Sequence, residues 1–357
     1  MWKQVDPVNR LIFPGASLAA TYDHRGKPFV GEKQIRDVLY KTTLLPLQVL
    51  VPGGICAPPG IIRCPALMVR RMDSRTRDKC RGRGTIIYMH GNATDVGGTA
   101  DEAKTMAREL ECHVVVPEYP GFGRAEGTPT EDSVDAVLHA AIRFATETLG
   151  TPRDRLILYG RSVGTGPVAA AGARMSCDDS APPAAIILQS PFTSILDFAK
   201  EKTGFLAYMF VSERWPTKEN LLKVTCPMLL IHGDRDEVVP FSHSKQLRGG
   251  YKKYKACCDL HVQMGAYHNS FDLFGDVIDP MAAFLKRHSL VPWGAEGKLP
   301  ATEMDLNLSD MAQRVLIAGP GDACDYPFMQ TVQAPGKSHA TAPPSAVAKV
   351  RFRSCGY

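Results

Sequence analysis

The pentapeptide Gly160-Arg161-Ser162-Val163-Gly164 restricts the possible folds of this chain more than any other stretch. It follows a short apolar run, Leu156-Ile157-Leu158-Tyr159, and precedes an alanine-rich segment from Pro167 to Ala173. Those flanks predict a strand and a helix, so the pentapeptide must turn the chain sharply between them. Such a turn leaves no room for side chains on either flank, which accounts for Gly160 and Gly164. The serine at its tip is lifted above the sheet edge, where a base can reach its hydroxyl. Without that base a serine hydroxyl is a poor nucleophile. The amide of Val163, at the start of the helix, would face a negative charge developing beside the serine.

A G-x-S-x-G match alone is weak, and the residues downstream give it context. Met228-Leu229-Leu230-Ile231-His232-Gly233 reads as a strand ending in a turn, followed by Asp234, Asp236 and Glu237. His261-Val262-Gln263-Met264-Gly265 reads as another strand, followed by His268. Serine, then acid, then histidine, each just past a strand end, is the chain order of an α/β-hydrolase triad. In this reading Ser162 is the nucleophile and His268 the base, and the acid is one of the carboxylates on the Asp234–Glu237 turn. His232 and His243 flank that turn; His232 precedes the acid and so falls out of order. A second oxyanion donor is expected from an earlier strand-to-helix loop. Thr85-Ile86-Ile87-Tyr88-Met89-His90 reads as that strand, and the amide of Asn92, after His90-Gly91, is the candidate. His90 itself reads as a structural hydrogen-bonding residue.

Strands alternating with helical patterns predict a mostly parallel central sheet with helices on both faces. The helix near Thr99–Leu110 carries Ala103, Met106, Ala107 and Leu110 at helical spacing, and another runs from Thr130 to about Leu149. Residues 1–34 read as an irregular extension, 35–290 as one hydrolase domain, and 291–357 as a low-complexity, disordered tail. The stretch 190–226 is a small cap, which implies an open site. Its apolar run Phe205–Phe210 reads as a helix packed on the core, with an acyl-chain wall as the sharper alternative.

Hydrophobic residues make up 44% of the 357 and charged residues 22%, which suits one large core. Arg70–Arg83 holds seven basic and two acidic residues, equal to the whole formal charge of +5, so the basic character is one patch. It reads as a solvated hairpin, or as a site for an anionic membrane surface; without interleaved aromatics it does not suggest nucleic acid. Thr42–Ile62 is uncharged but holds four prolines and three glycines, which argues against a spanning helix. Ten cysteines without a C-x-x-C pair, and no apolar segment resembling a signal peptide, predict reduced thiols and a cytoplasmic setting, peripheral on membranes at most. No spacing suggests a metal, and no cofactor is expected.

Several runs together resemble a known group: Tyr88-Met89-His90-Gly91-Asn92-Ala93-Thr94-Asp95, Gly160–Pro167, Ser190-Pro191-Phe192-Thr193-Ser194, Ile231-His232-Gly233 with Asp236-Glu237-Val238, and Phe241-Ser242-His243. From about Ile12 to Leu285 the chain resembles the eukaryotic α/β-hydrolase domain-containing serine hydrolases whose best-known members are protein depalmitoylases. The resemblance implies a Ser-Asp-His triad cleaving acyl esters or thioesters, with S-palmitoyl groups on proteins as leading substrates. It selects Asp236 as the acid, leaving Asp234 a turn residue and Glu237 solvated. The group's acylated N-terminal cysteine cluster has no counterpart before Cys56. Two other functions remain open from sequence: a prolyl-oligopeptidase-like peptidase, which shares the elbow, and a non-catalytic scaffold acting through the tail and basic loop.

Overall fold

The central strands of this chain are apolar at nearly every position because each faces a core on both sides. In the computed structural model, Ile87 and Met89 of one strand point into one hydrophobic cluster while Ile86 and Tyr88 point into a second. Leu158 and its neighbours Ile157 and Tyr159 divide in the same way. The structure describes residues 12–52, 60–75, 84–177, 181–204, 211–252 and 258–290. The predicted tail, the apolar run Phe205–Phe210 and most of the basic segment lie outside them.

Nine described strands form one sheet: β1 (Gly31–Ile35), β2 (Val38–Val51), β3 (Gly60–Asp73), β4 (Thr85–Met89), β5 (His113–Pro117), β6 (Leu156–Arg161), β7 (Ala185–Gln189), β8 (Met228–Gly233) and β9 (Cys258–Gln263). Their order is β1-β2-β3-β5-β4-β6-β7-β8-β9. The first three strands and β5 pair antiparallel, and everything from β5 to β9 is parallel. Two differences from the sequence reading stand out. β1 begins at Gly31, inside the stretch read as irregular. β3 runs to Asp73, so Arg70 and Arg71, read as the start of a solvated basic hairpin, lie within a strand of the sheet.

Helices cover both faces. On one face α1 (Ala100–Glu109) packs with α7 (Asp279–Arg287), burying Ala103, Met106 and Ala107 in the same cluster as Met281, Phe284 and Leu285. On the other lie α2 (Glu131–Arg143) and α3 (Thr165–Cys177), together with α5 (Thr217–Lys223) and α6 (Ser242–Lys252), through Leu221 and Leu247. The start of α2 is fixed by a capping box: Ser133 N donates to Thr130 Oγ1 at 3.1 Å, and Thr130 N donates to Ser133 Oγ at 2.8 Å. The cap region contributes α4 (Ile195–Thr203), whose N-terminus is capped by Ser194.

The topology decides where a site can form. From β4 the chain moves outward to β5, then crosses back to place β6 on the other side of β4. That reversal opens a crevice outside the carboxyl ends of β4 and β6. Met89 pairs with Gly160 in register, so the loop after β4 and the turn after β6 leave the sheet side by side.

Candidate active site

Close packing accounts for both elbow glycines. A Cβ on Gly164 would collide with the Met89 carbonyl, and one on Gly160 with the Gly164 carbonyl. The turn forces Ser162 into the left-handed region with φ 53°, a conformation a serine adopts only under constraint. Ser162 opens a short 3-10 turn that runs directly into α3, and Thr165 Oγ1 donates to its carbonyl at 2.6 Å.

The three residues predicted to act together meet here. His268 Nε2 lies 2.9 Å from Ser162 Oγ, and His268 Nδ1 lies 2.8 Å from Asp236 Oδ2. A carboxylate only accepts, so the ring proton sits on Nδ1 and the Nε2 lone pair faces the serine hydroxyl. Burial alone would raise the Asp236 pKa. Hydrogen bonds from His232, from His268 and from the Val239 amide outweigh it and hold the carboxyl below the usual carboxylate range. Its Oδ1 accepts from Val238 N at 2.9 Å and Val239 N at 2.8 Å.

Two residues set aside in the sequence reading belong to this arrangement. Glu237, expected to be solvated, is exposed but accepts His268 N at 3.1 Å. His232, out of triad order, is fully buried with Nε2 3.3 Å from Asp236 Oδ2 and 2.8 Å from the Val239 carbonyl. Both partners are acceptors, so Nε2 carries the proton, and Nδ1 accepts from Ser244 Oγ at 2.7 Å. Asp234 is a turn residue as expected, and it also accepts Gly265 N at 2.6 Å. All three carboxylates of one turn therefore hold the histidine loop. Its other side is held by Arg161, whose Nη2 donates to the His268 carbonyl at 3.3 Å and to Asn269 Oδ1 at 3.1 Å.

The loop predicted to supply an oxyanion donor lies beside the serine: a Cβ built on Gly91 would come 3.9 Å from Ser162 Cβ. His90 is structural in the sense expected. Its Nδ1 lies 2.8 Å from the Gly91 carbonyl and its Nε2 3.1 Å from Glu118 Oε1, all in the interior. Glu118 Oε2 also accepts from Tyr22 Oη at 2.9 Å and Val96 N at 3.1 Å, and Tyr119 Oη donates to the His90 carbonyl at 2.6 Å.

The segment 12–30 was the larger omission, because it straps this loop down. The Asn92 side-chain amide donates to the Ile12 carbonyl, and Gly15 N approaches Asn92 Oδ1 at 3.5 Å. Thr21 N donates to Asp95 Oδ2 at 2.7 Å, and the Thr21 hydroxyl bonds to the other Asp95 oxygen. Phe13 sits edge-on to Phe122 and to Trp215. The available signal was three large aromatics, Phe13, Tyr22 and Phe29, in a Pro/Gly-rich stretch; all three are buried.

Among the described residues no group of histidines, cysteines and carboxylates could hold a metal ion, and no helix is long and apolar enough to cross a membrane.

Solved structures share this fold. An esterase of Pyrococcus furiosus matches with a TM-score of 0.51 at 16% identity, covering 72% of this chain and 94% of its own. The Est1E protein of Butyrivibrio proteoclasticus, in a structure with bound ferulic acid, matches with a TM-score of 0.51 at 20% identity, over 64% of this chain and 96% of its own. Residues 125–290 match the family model of the prolyl oligopeptidase family. This chain has the α/β-hydrolase fold. In sequence it is similar to alpha/beta hydrolase domain-containing protein 17C of Xenopus tropicalis, with 32% identity over 207 residues, 57% of this chain and 62% of that protein. It is also similar to alpha/beta hydrolase domain-containing protein aho-3 of Caenorhabditis elegans, at 28% over 247 residues, 66% of this chain and 71% of that one. The first of these alignments spans less than two thirds of the relative's own length.

Proposed function

We propose that this α/β-hydrolase is a serine hydrolase cleaving acyl thioesters or esters, with long-chain S-acyl groups on proteins as the favoured substrates. The observation that carries the reading is the relay from Ser162 through His268 to Asp236, at 2.9 and 2.8 Å. His268 Nε2 takes the hydroxyl proton as Ser162 Oγ bonds to the carbonyl carbon. The amides of Asn92 and Val163 stabilise the oxyanion. Collapse of the tetrahedral intermediate expels the thiol or alcohol, which leaves with the proton from His268. Water, deprotonated by the same histidine, then attacks the acyl-enzyme and frees the acid and Ser162. Asp236 keeps the imidazole in the required tautomer and stabilises the imidazolium. Preference for protein S-acyl groups follows the similarity to the 17C proteins and the depalmitoylase group. Cytoplasmic action, peripheral on membranes with Arg70–Arg83 toward anionic headgroups, belongs to the same reading.

The match to the prolyl oligopeptidase family favours a second reading, a peptidase built on the same three side chains. Fluorophosphonate labelling of the full chain and of Ser162→Ala, followed by hydrolysis of thioesters of graded length and of aminoacyl amides, tests both. Labelling that requires Ser162, with rates rising toward long acyl chains, is expected. Faster turnover of aminoacyl amides would move the function to peptide hydrolysis, and preference for short chains to small esters. No labelling of the folded wild type would overturn catalysis and leave a binding scaffold.

A further inference from the structure

Arg161 occupies the variable position of the elbow, directly before the serine, where the turn itself requires no particular side chain. Its guanidinium does not point to solvent. The side chain is 13% exposed and reaches Glu102 on one side and the histidine loop on the other. It thereby meets the histidine loop and the helix that follows the oxyanion loop. Nη2 donates to the His268 carbonyl and to Asn269 Oδ1, both in the histidine loop. The guanidinium lies 4.8 Å from the centroid of the Phe271 ring, farther along that loop. Nη1 lies 4.0 Å from Glu102 Oε1 on α1, the helix that follows the oxyanion loop. Tyr88, on the strand before that loop, donates to the same carboxylate, at Glu102 Oε2, at 2.8 Å.

We infer that Arg161 is a positioning residue for the hydrolytic reaction, setting the distance between Ser162 and His268 and locking both to the frame of the oxyanion loop. The inference rests on the reading of Ser162 as nucleophile. The physical reason is connectivity. Ser162 is anchored by β6 in the middle of the sheet, whereas His268 stands on a loop five residues beyond β9, at its edge. Asp236 orients the imidazole and Glu237 holds the His268 amide, but both belong to the β8 turn. If the β8 and β9 turns shifted together, every contact between them would survive while Nε2 drew away from Oγ. Arg161 ties the His268 backbone directly to the residue bonded to Ser162. A planar fork with several donors can span a carbonyl, an amide and a carboxylate together; an ammonium point charge cannot fix the same geometry.

The test uses the full chain, with active sites titrated by a fluorophosphonate so that kcat is counted per competent site. Arg161→Met retains the stem and removes the donors. Its kcat per titrated site should fall at least ~10-fold, with KM changing less than about threefold, because misplacement of about 1 Å can cost ~100-fold in rate. Arg161→Lys should recover only part of the loss. Asn269→Ala removes one exposed acceptor without disturbing a buried charge; it keeps the question open to test if Arg161→Met does not fold, and should lower kcat about two- to fivefold. In Arg161→Met, the further change Asn269→Ala should cost nothing more. A lower titratable fraction with wild-type kcat per site, a loss confined to KM, or wild-type kcat in Asn269→Ala where Arg161→Met cannot be obtained would overturn the inference. Failure of the wild type to label would instead overturn the hydrolase reading itself.

Discussion

Asp234, Asp236 and Glu237 reach the His268 loop across one strand pair, β8 and β9, joined by a single helical crossover. The loop carrying Asn92 is held by Ile12, Gly15, Thr21, Tyr22 and Glu118, with Asn92 and Ile12 separated by 80 positions. Apart from the Arg161 contacts from β6, the acid–base half thus depends on short, charge-assisted bonds within one supersecondary unit. The oxyanion half depends on a buried polar network closed by the segment 12–30 strapped across the loop. Damage to the first should appear chiefly in catalysis, with a smaller change in stability. Damage to the second should appear in both, because unpaired buried groups are left behind.

The largest effect is expected in the acid–base half. Asp236→Asn keeps the shape but favours the wrong imidazole tautomer, and should lower kcat by ~10³–10⁴-fold. The denaturant midpoint should fall as well, because the ionised carboxylate contributes to stability at neutral pH. A kcat within about tenfold of wild type would show that another carboxylate of the turn can serve, dissolving the distinction among the three acids.

The matching cut in the oxyanion half is Glu118→Ala. It strands the His90 ring, the Tyr22 hydroxyl and the Val96 amide in the interior. Removing one partner from such a buried set costs about 3–5 kcal/mol, read as a fall in urea midpoint at constant slope. A loss below about 1 kcal/mol would mean that water or repacking satisfies these groups, and that the half is not held as described.

These halves were unequally visible in the amino-acid sequence, for the same reason that they differ physically. The strand runs could be read because Ile86, Ile87, Leu158 and their neighbours declare burial by composition alone. Ser162, the Asp234–Glu237 turn and His268 could be placed because each follows such a run at a strand end; Asp236 was selected within the turn only by the family resemblance. Nothing local in residues 12–30 shows which loop they cover: their partners lie more than 70 positions away, and an irregular segment has no period to read. Glu237 was misjudged because exposure and bonding are separate properties; its carboxylate is exposed and still receives the His268 amide. His232 was passed over because chain order was used as the filter, whereas a buried donor needs only proximity to Asp236.

A finer cut tests whether the strap works through the loop or only beside it. Asn92→Ala removes both side-chain contacts to the strap while keeping the backbone amide assigned to the oxyanion. A stability loss of about 1–2 kcal/mol is expected. Rate should fall about 10-fold, less than the ~10²–10³ of deleting an oxyanion donor outright. Stability loss with unchanged kcat per titrated site would confine the strap to folding.

The smallest effect returns to Asp236 and separates His232 from the rest of the acid–base half. The groups facing Asp236 are His268, His232 and the amides of Val238 and Val239; those facing His232 are Asp236, the Val239 carbonyl, Ser244 and the Phe241 ring. Because the folded Asp236 pKa lies below its unfolded value, its contribution to stability is present above the ordinary carboxylate range and disappears as pH falls through the folded value. Removing a donor raises the folded value, so the loss begins at higher pH. His232→Gln retains a donor near the Nε2 position and His232→Leu does not, while both give up the Ser244 contact. The acid-unfolding midpoint of the Leu variant should therefore lie above that of the Gln variant, by less than about one pH unit because the 3.3 Å contact is shared with the Val239 carbonyl. Coincident midpoints, followed by circular dichroism from pH 6 to pH 2 at about 0.1 M salt, would mean that the backbone amides and His268 alone hold the carboxylate ionised.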